Sequence, residues 1–283
     1  MKQRIITGVL FTLAILAFVI PAYFYSGFAI VLTAIVAVIA AYEMTEALQA
    51  KMIRNVSAAL NIGAALSLIP VGLYFLQSSP YVAFTGYALA AVMFSMLVVI
   101  MPLLLHAADG KFTDGMAIAG ASLYLSFPLA CANLSVLFLR NGWLFFVLGL
   151  FAPWISDVFA YFTGVLIGRH KIVPHISPKK TWEGCVGGAV GCAAVIAVVY
   201  SLIIYPSMAT RLSFPAFLIA SILVGLLLSV VSQFGDWTAS AVKRWAGIKD
   251  FGTLLPGHGG ILDRFDSAFF TLPVAFAFGL LLI

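Results

Sequence analysis

Charge is what this chain has least of. Only 9% of its 283 residues are Asp, Glu, Lys or Arg, where a water-soluble domain carries about a quarter. Cysteine is nearly absent as well. Cys131, Cys185 and Cys192 all fall in apolar stretches and form no Cys-x-x-Cys pair, so neither a disulfide framework nor a zinc site is indicated. They read as small buried hydrophobes. The sequence has no low-complexity tract, no flexible linker and no convincing internal repeat. The missing repeat weighs against a secondary transporter, since many of those are built from repeats. No basic tract interleaved with aromatics points to nucleic acid.

What the chain does have is apolar length. Residues AVILMFWYC make up 63% of it, in runs that repeatedly reach the ~20 residues needed to cross a bilayer. Nine runs qualify: 5–23, 27–48, 57–76, 81–105, 116–138, 143–167, 184–205, 215–234 and 267–283. A β-barrel would show short alternating strands, and these runs are continuous. The expected fold is therefore all-α, a polytopic integral membrane protein with about nine transmembrane helices. The first run reads as a retained helix and not as a cleaved signal, because the small-residue cleavage pattern is weak where Pro21-Ala-Tyr-Phe-Tyr follows it. Glu43 and Glu46 close the second run, which places its last turns at the membrane interface. Pro70, Pro102 and Pro128 fall inside runs and predict kinks. The last run is short and would have to cross nearly upright.

Orientation follows from the cations. Lys2, Arg4, Lys51, Arg54, Lys111, Arg169, Lys171, Lys179, Lys180, Lys243, Arg244, Lys249 and Arg264 fall on one side of a nine-span chain; Arg140 and Arg211 fall on the other. The positive-inside rule then predicts a cytoplasmic N-terminus. Residues 1–142, the first five spans, carry few polar groups and read as a scaffold. Residues 143–283 carry polar groups inside the spans and longer basic loops, and read as the catalytic region.

Two polar patches stand out. In the loop between spans six and seven, Ser177-Pro-Lys-Lys-Thr-Trp-Glu resembles a helix start, with Ser177 as cap and Pro178 at the first helical position. Lys179, Lys180 and Thr181 at such an end would suit a phosphate; ordinary topology or a lipid headgroup contact would explain them too. Gly184, Gly187, Gly188 and Gly191 follow in overlapping Gly-x-x-x-Gly pairs, the spacing of close helix packing.

The second patch runs from Ser240 to Asp266, SAVKRWAGIKDFGTLLPGHGGILDRFD. It concentrates Lys243, Arg244, Lys249, Asp250, His258, Asp263, Arg264 and Asp266 around a Pro-Gly-His-Gly-Gly turn. If the eighth span continues as a helix, Asp236, Ser240, Lys243 and Arg244 share one face. Asp157 and Asp236 lie within or at the end of spans, where a carboxylate marks function by default. For Asp157 an interhelical hydrogen bond is the alternative. Asp236 has a candidate partner in a divalent cation shared with Asp263, since hard cations take carboxylate and phosphate oxygens. Asp266 reads either as a cap of the last span or as a metal ligand. His258, Gly259 and Gly260 sit in a glycine-permitted turn that can form an anion-binding nest.

These residues resemble the phosphatidate cytidylyltransferase, or CDP-diacylglycerol synthase, family. Ser240, Lys243-Arg244, Lys249-Asp250, Gly252, Leu255-Pro256, His258-Gly259-Gly260, Asp263-Arg264 and Asp266 fill every fixed position of its signature. The Ser177–Gly184 loop looks like a second block, and Asp157 with Ala160-Tyr161 a third. The resemblance covers roughly residues 150–267. It implies that CTP and phosphatidate are joined into CDP-diacylglycerol with release of pyrophosphate, in phospholipid biosynthesis. It also implies Mg²⁺ held by Asp236 and Asp263, with room for a second cation, and a homodimer. Lys179, Lys180, Lys243, Arg244, Lys249 and Arg264 would bind phosphates. With the orientation argument, the chain would lie in the cell's plasma membrane, its active site facing the cytoplasm. A CTP-dependent polyprenol or phytol kinase is the nearest alternative. A membrane transporter, of a different class, would not explain so many cations and glycines at one level.

Overall fold

The computed structural model describes residues 2–49, 56–105, 112–173, 177–207 and 212–282. Lys51, Arg54, Lys111 and Arg211, used above for orientation, lie outside the described residues, as do the side chains of Lys2, Arg4 and Lys179. The helices are α1 Lys2–Ala22, α2 Gly27–Gln49, α3 Ser57–Ala65, α4 Ile69–Phe75, α5 Pro80–Leu105, α6 Phe112–Phe138 and α7 Gly142–Ile167. They continue as α8 Trp182–Val199, α9 Tyr205–Ser207, α10 Phe214–Ala246, α11 Leu262–Phe265 and α12 Ala268–Leu282. The only strands among the described residues are β1 Lys171–Val173 and β2 Ser177–Thr181.

Eight helical stretches are long and apolar enough to cross a membrane, which bears out the all-α polytopic expectation. The ninth expected span is shorter than the rest. α12 has 15 residues, roughly 22 Å at 1.5 Å per residue, against a hydrocarbon core of ~30 Å. The third span is broken as its proline foretells. α3 passes through a 3₁₀ turn, Leu66–Leu68, into α4, with Pro70 in the first turn of α4.

The chain forms two compact units, Met1–Phe138 with Trp245–Arg264, and Leu139–Arg244 with Phe265–Ile283. In the first, α2, α3 and α6 pack on one another around Ala40, Ala41, Leu60 and Leu125, all fully buried. A buried polar knot ties them at the broken span. Thr33 donates to Asn133 Oδ1 at 2.8 Å, and Asn133 Nδ2 donates to the Ser67 carbonyl at 2.9 Å. In apolar surroundings such groups are tolerated because each has its partner.

In the second unit α7 packs against α8 and α12. The glycines of α8 do what their spacing predicts. A Cβ on Gly188 would stand 2.9 Å from the Ser156 carbonyl oxygen and 3.0 Å from the Ala160 Cβ; one on Gly191 would strike the Phe159 ring. Thr271 of α12 donates to the Gly149 carbonyl of α7 at 2.5 Å. Phe145, Tyr200 and Phe278 fill the centre, with ring centroids 5.4–6.4 Å apart.

Candidate active site

α10 is one unbroken helix of 33 residues, so Asp236, Ser240, Lys243 and Arg244 do fall on one face at intervals of four, seven and eight. Gly247, with φ of +77°, ends it in the left-handed conformation that only glycine takes cheaply. Around Asp236 the second unit assembles a charged cluster. The Lys180 ammonium, from β2, pairs with the Asp236 carboxylate and lies 6.0 Å from the centroid of the Trp237 ring. Asp157, from α7, stands within electrostatic range of both Lys180 and Asp236. It is exposed and makes no hydrogen bond to a described residue, so the interhelical-bond alternative finds no support. Lys243 is half-buried and Arg244 exposed.

Asp266 is buried and joins the same cluster, within range of Asp236 and Lys243. Burial, and then the Asp236 charge, push its carboxyl up to about 7, against the pull of Lys243 and two bonds from Ser267. It does not cap α12. Its Oδ1 accepts from the Ser267 amide at 2.6 Å, whereas the Ser267 carbonyl accepts the first helical bonds, from Phe270 and Thr271. Ser267 holds the cap position.

The loop before α8 differs from the expected helix start. Ser177–Thr181 is a strand, paired antiparallel with Lys171–Val173. The helix begins four residues later, and its cap is Thr181, whose Oγ1 accepts from the Gly184 amide at 3.2 Å. Glu183, which the sequence reading passed over, closes the hairpin. Its carboxylate accepts from the amides of Arg169 at 3.0 Å and His170 at 3.2 Å, and meets His170 Nδ1 at 2.6 Å. The Thr181 hydroxyl is buried against Gly164 and Gly168, so the structure gives it a capping role. Lys180, next to it, points its charge to Asp236.

The signature turn lies in the first unit. Leu255 and Gly259 pair across it, Leu255 N to Gly259 O at 2.9 Å and His258 N to Leu255 O at 2.8 Å. Gly257 and Gly259 have φ of +77° and +82°, which explains the glycines. Arg264 folds back and donates from Nε to the His258 carbonyl at 2.9 Å. Asp263 Oδ2 accepts from Phe251 N at 2.8 Å and Gly260 N at 2.9 Å. Gly260's amide therefore serves the loop itself, not an incoming anion. Lys249 and Asp250 are exposed, and Ser240 is half-buried on α10.

Glu43 was not foreseen here. It is 3% exposed, whereas its neighbour Glu46 is exposed. Its two oxygens accept from Ile261 N at 2.9 Å and Leu262 N at 2.7 Å. Two carboxylates, Glu43 and Asp263, thus hold four backbone amides of one loop.

The site residues sort into two sets. Asp157, Lys180, Asp236, Lys243 and Asp266 come together in the second unit; His258, Gly259, Gly260, Asp263 and Arg264 come together in the first. Among the described residues no three His, Cys, Asp or Glu side chains form a closed metal cage. The donors on offer are carboxylate oxygens. That fits Mg²⁺, which takes one or two carboxylates and completes its shell with water and substrate phosphates, and does not fit zinc.

Comparison with known proteins decides the family. The model of the cytidylyltransferase family matches residues 2–282. The chain belongs to the cytidylyltransferase family. The match to Bacillus subtilis (strain 168) phosphatidate cytidylyltransferase is 33% identical over 280 residues, 96% of this chain and 95% of that one. Shorter matches are closer in sequence. The phosphatidate cytidylyltransferase of Staphylococcus haemolyticus is 42% identical over 136 residues, 48% of this chain and 49% of that one. Arabidopsis thaliana chloroplastic phosphatidate cytidylyltransferase 5 is 46% identical over 123 residues, 44% of this chain and 28% of that one.

Proposed function

We infer that the chain is a phosphatidate cytidylyltransferase, an enzyme that joins CTP and phosphatidate into CDP-diacylglycerol and releases pyrophosphate. The observation that carries this is the match to the Bacillus enzyme along nearly the whole of both chains. The residue inventory supports it. A phosphate oxygen of phosphatidate forms the new bond to the α-phosphorus of CTP while the bond to pyrophosphate breaks. The substrate thus brings its own nucleophile, and the protein's task is positioning and charge.

Lys180, Lys243, Arg244, Lys249 and Arg264, with Lys179 by the resemblance of its motif, form the phosphate-binding set of this proposal. Lys180 rests on Asp236 and can exchange that partner for a more highly charged phosphate. For Mg²⁺ we propose Asp236 and Asp263 as ligands, on the resemblance of their motifs. When bound, the cation neutralises phosphate oxygens as charge moves onto the leaving pyrophosphate. The active site facing the cytoplasm, the plasma membrane as location and a homodimer are proposals of the same kind. They rest on the distribution of cations and on the family resemblance.

The test uses purified protein in detergent with CTP labelled in the cytidine and phosphatidate, with and without Mg²⁺. Lipid-borne label with stoichiometric pyrophosphate is the expected product. Release of CDP with phosphorylated lipid would establish the kinase reading instead. Absence of magnesium-dependent label in the lipid would overturn the proposal.

A further inference from the structure

The signature loop is held from the other end of the chain. Glu43 sits in the last two turns of α2, in the part of the sequence that reads as scaffold, yet its carboxylate is spent on the loop between residues 251 and 263. Oε1 accepts from Ile261 N at 2.9 Å and Oε2 from Leu262 N at 2.7 Å. The loop is shaped to admit it. A Cβ on Gly260 would stand 2.4 Å from Glu43 Oε1, and one on Gly252 2.5 Å from the same atom. These glycines are needed because a carboxylate lies where their side chains would be. The adjacent amides, Phe251 and Gly260, go to Asp263 Oδ2. The amide of Gly260 serves Asp263 and that of Ile261, the next residue, serves Glu43, so the two acidic side chains share one short piece of backbone.

A buried carboxylate that accepts only backbone amides is a strong, directional tether, since bonds to an ionised acceptor are about twice as strong as neutral ones. No cation pairs with Glu43 among the described residues. Its charge is met by the amide donors, and removing an oxygen would leave a buried N–H without a partner. The loop it fixes carries His258, Gly259, Asp263 and Arg264. We propose that Glu43 is a positioning residue of the cytidylyltransferase reaction: it sets the signature loop, and with it Asp263 and Arg264, in the working arrangement. This rests on the assignment of the signature to the reaction. It assigns a reaction role to a residue of the N-terminal spans that acts through the loop's backbone.

Four variants and two readouts test it. Glu43→Gln keeps the volume and replaces one acceptor oxygen with an NH₂ group. Hydrogen exchange followed by mass spectrometry should show amides 251–263 exchanging at least about tenfold faster, with peptides from α7 and α8 unchanged. The turnover number should fall about ten- to a hundredfold, and KM for CTP should change less than about threefold, the pattern of lost positioning. Gly260→Ala should give the same pattern from the loop side. In the Glu43→Ala background the new methyl group has room, so adding Gly260→Ala there should cost less than twofold more.

Wild-type exchange and wild-type turnover in Glu43→Gln would overturn the proposal. So would faster exchange in every peptide, which would make Glu43 a general folding residue. If Glu43→Gln does not fold, the wild-type protein still decides: amides of Ile261 and Leu262 exchanging as fast as the exposed stretch at Lys249 and Asp250 would overturn the tether. A wild-type protein that makes no CDP-diacylglycerol would fail the functional assignment, while the exchange data would still judge the tether.

Discussion

Asp236 and Lys180 form an ion pair in which, under the proposed function, each partner would exchange the other for a ligand. An ammonium and a carboxylate, each half-buried, satisfy each other until a phosphate or a cation offers more. Replacing Asp236 by Asn keeps the shape and removes the charge. Turnover should fall at least about a hundredfold, roughly 2.7 kcal/mol of activation free energy, with an unchanged elution profile in detergent. Labelled-CTP incorporation measures it. Asp266 gives a second expectation. Its carboxyl is raised to about 7 from an ordinary 3.8, so the folded state holds a proton that the unfolded chain has released. Stability contributed this way is complete below the unfolded value and is lost as pH rises from 3.8 to about 7. In EDTA the melting temperature of the wild type should decline across that window, and Asp266→Asn should flatten the decline. The aspartates were legible in the sequence because charge in apolar runs is rare and conspicuous. Glu43 was not. A glutamate at a span end has an ordinary interfacial explanation, and its true partners are backbone amides 218 and 219 residues away, which carry no residue-type signal.

Among the elements, α8 shows how sequence spacing becomes helix separation. Gly188 faces the Ser156 carbonyl and Ala160, both on a rigid neighbour. Gly188→Val should destabilise the detergent-solubilised protein by about 1–3 kcal/mol, seen as a lower thermal midpoint. Gly120 in α6 is the control. No atom lies within 4 Å of where its Cβ would be, so Gly120→Ala should be neutral or stabilise by about 0.5–1 kcal/mol. The spans were readable from apolar length, and the packing role of the α8 glycines from their interval. The start of α8 was not. Ser177-Pro178 carries a good local start signal, but Thr181 carries another, and Glu183 anchors the preceding hairpin through the amides of Arg169 and His170. Local preference left two starts open, and a contact more than ten residues distant chose between them.

For the molecule as a whole, hydropathy was enough to place the chain in the membrane and nearly enough to count its helices. What it could not give was the grouping. The signature segment from Trp245 to Arg264 joins the unit formed by the first 138 residues, while the helix that leads into it belongs to the other unit. Such grouping depends on which surfaces meet, and a periodicity of apolar residues does not record that. α10 has a further consequence. Its 33 residues measure roughly 50 Å, about 20 Å more than the hydrocarbon of a bilayer. The stretch from Asp236 to Ala246, which follows the apolar run 215–234, is long enough to take up most of that surplus. A lipid substrate stays in the leaflet and a nucleotide stays in water; with Asp236 in the site, as proposed, the overhang of α10 would set the height at which the two meet. That height is relative to the lipid, so membrane thickness becomes a variable of the reaction. In bilayers of progressively longer acyl chains, Asp236 would be drawn toward hydrocarbon and turnover should fall, even though no contact within the protein has changed.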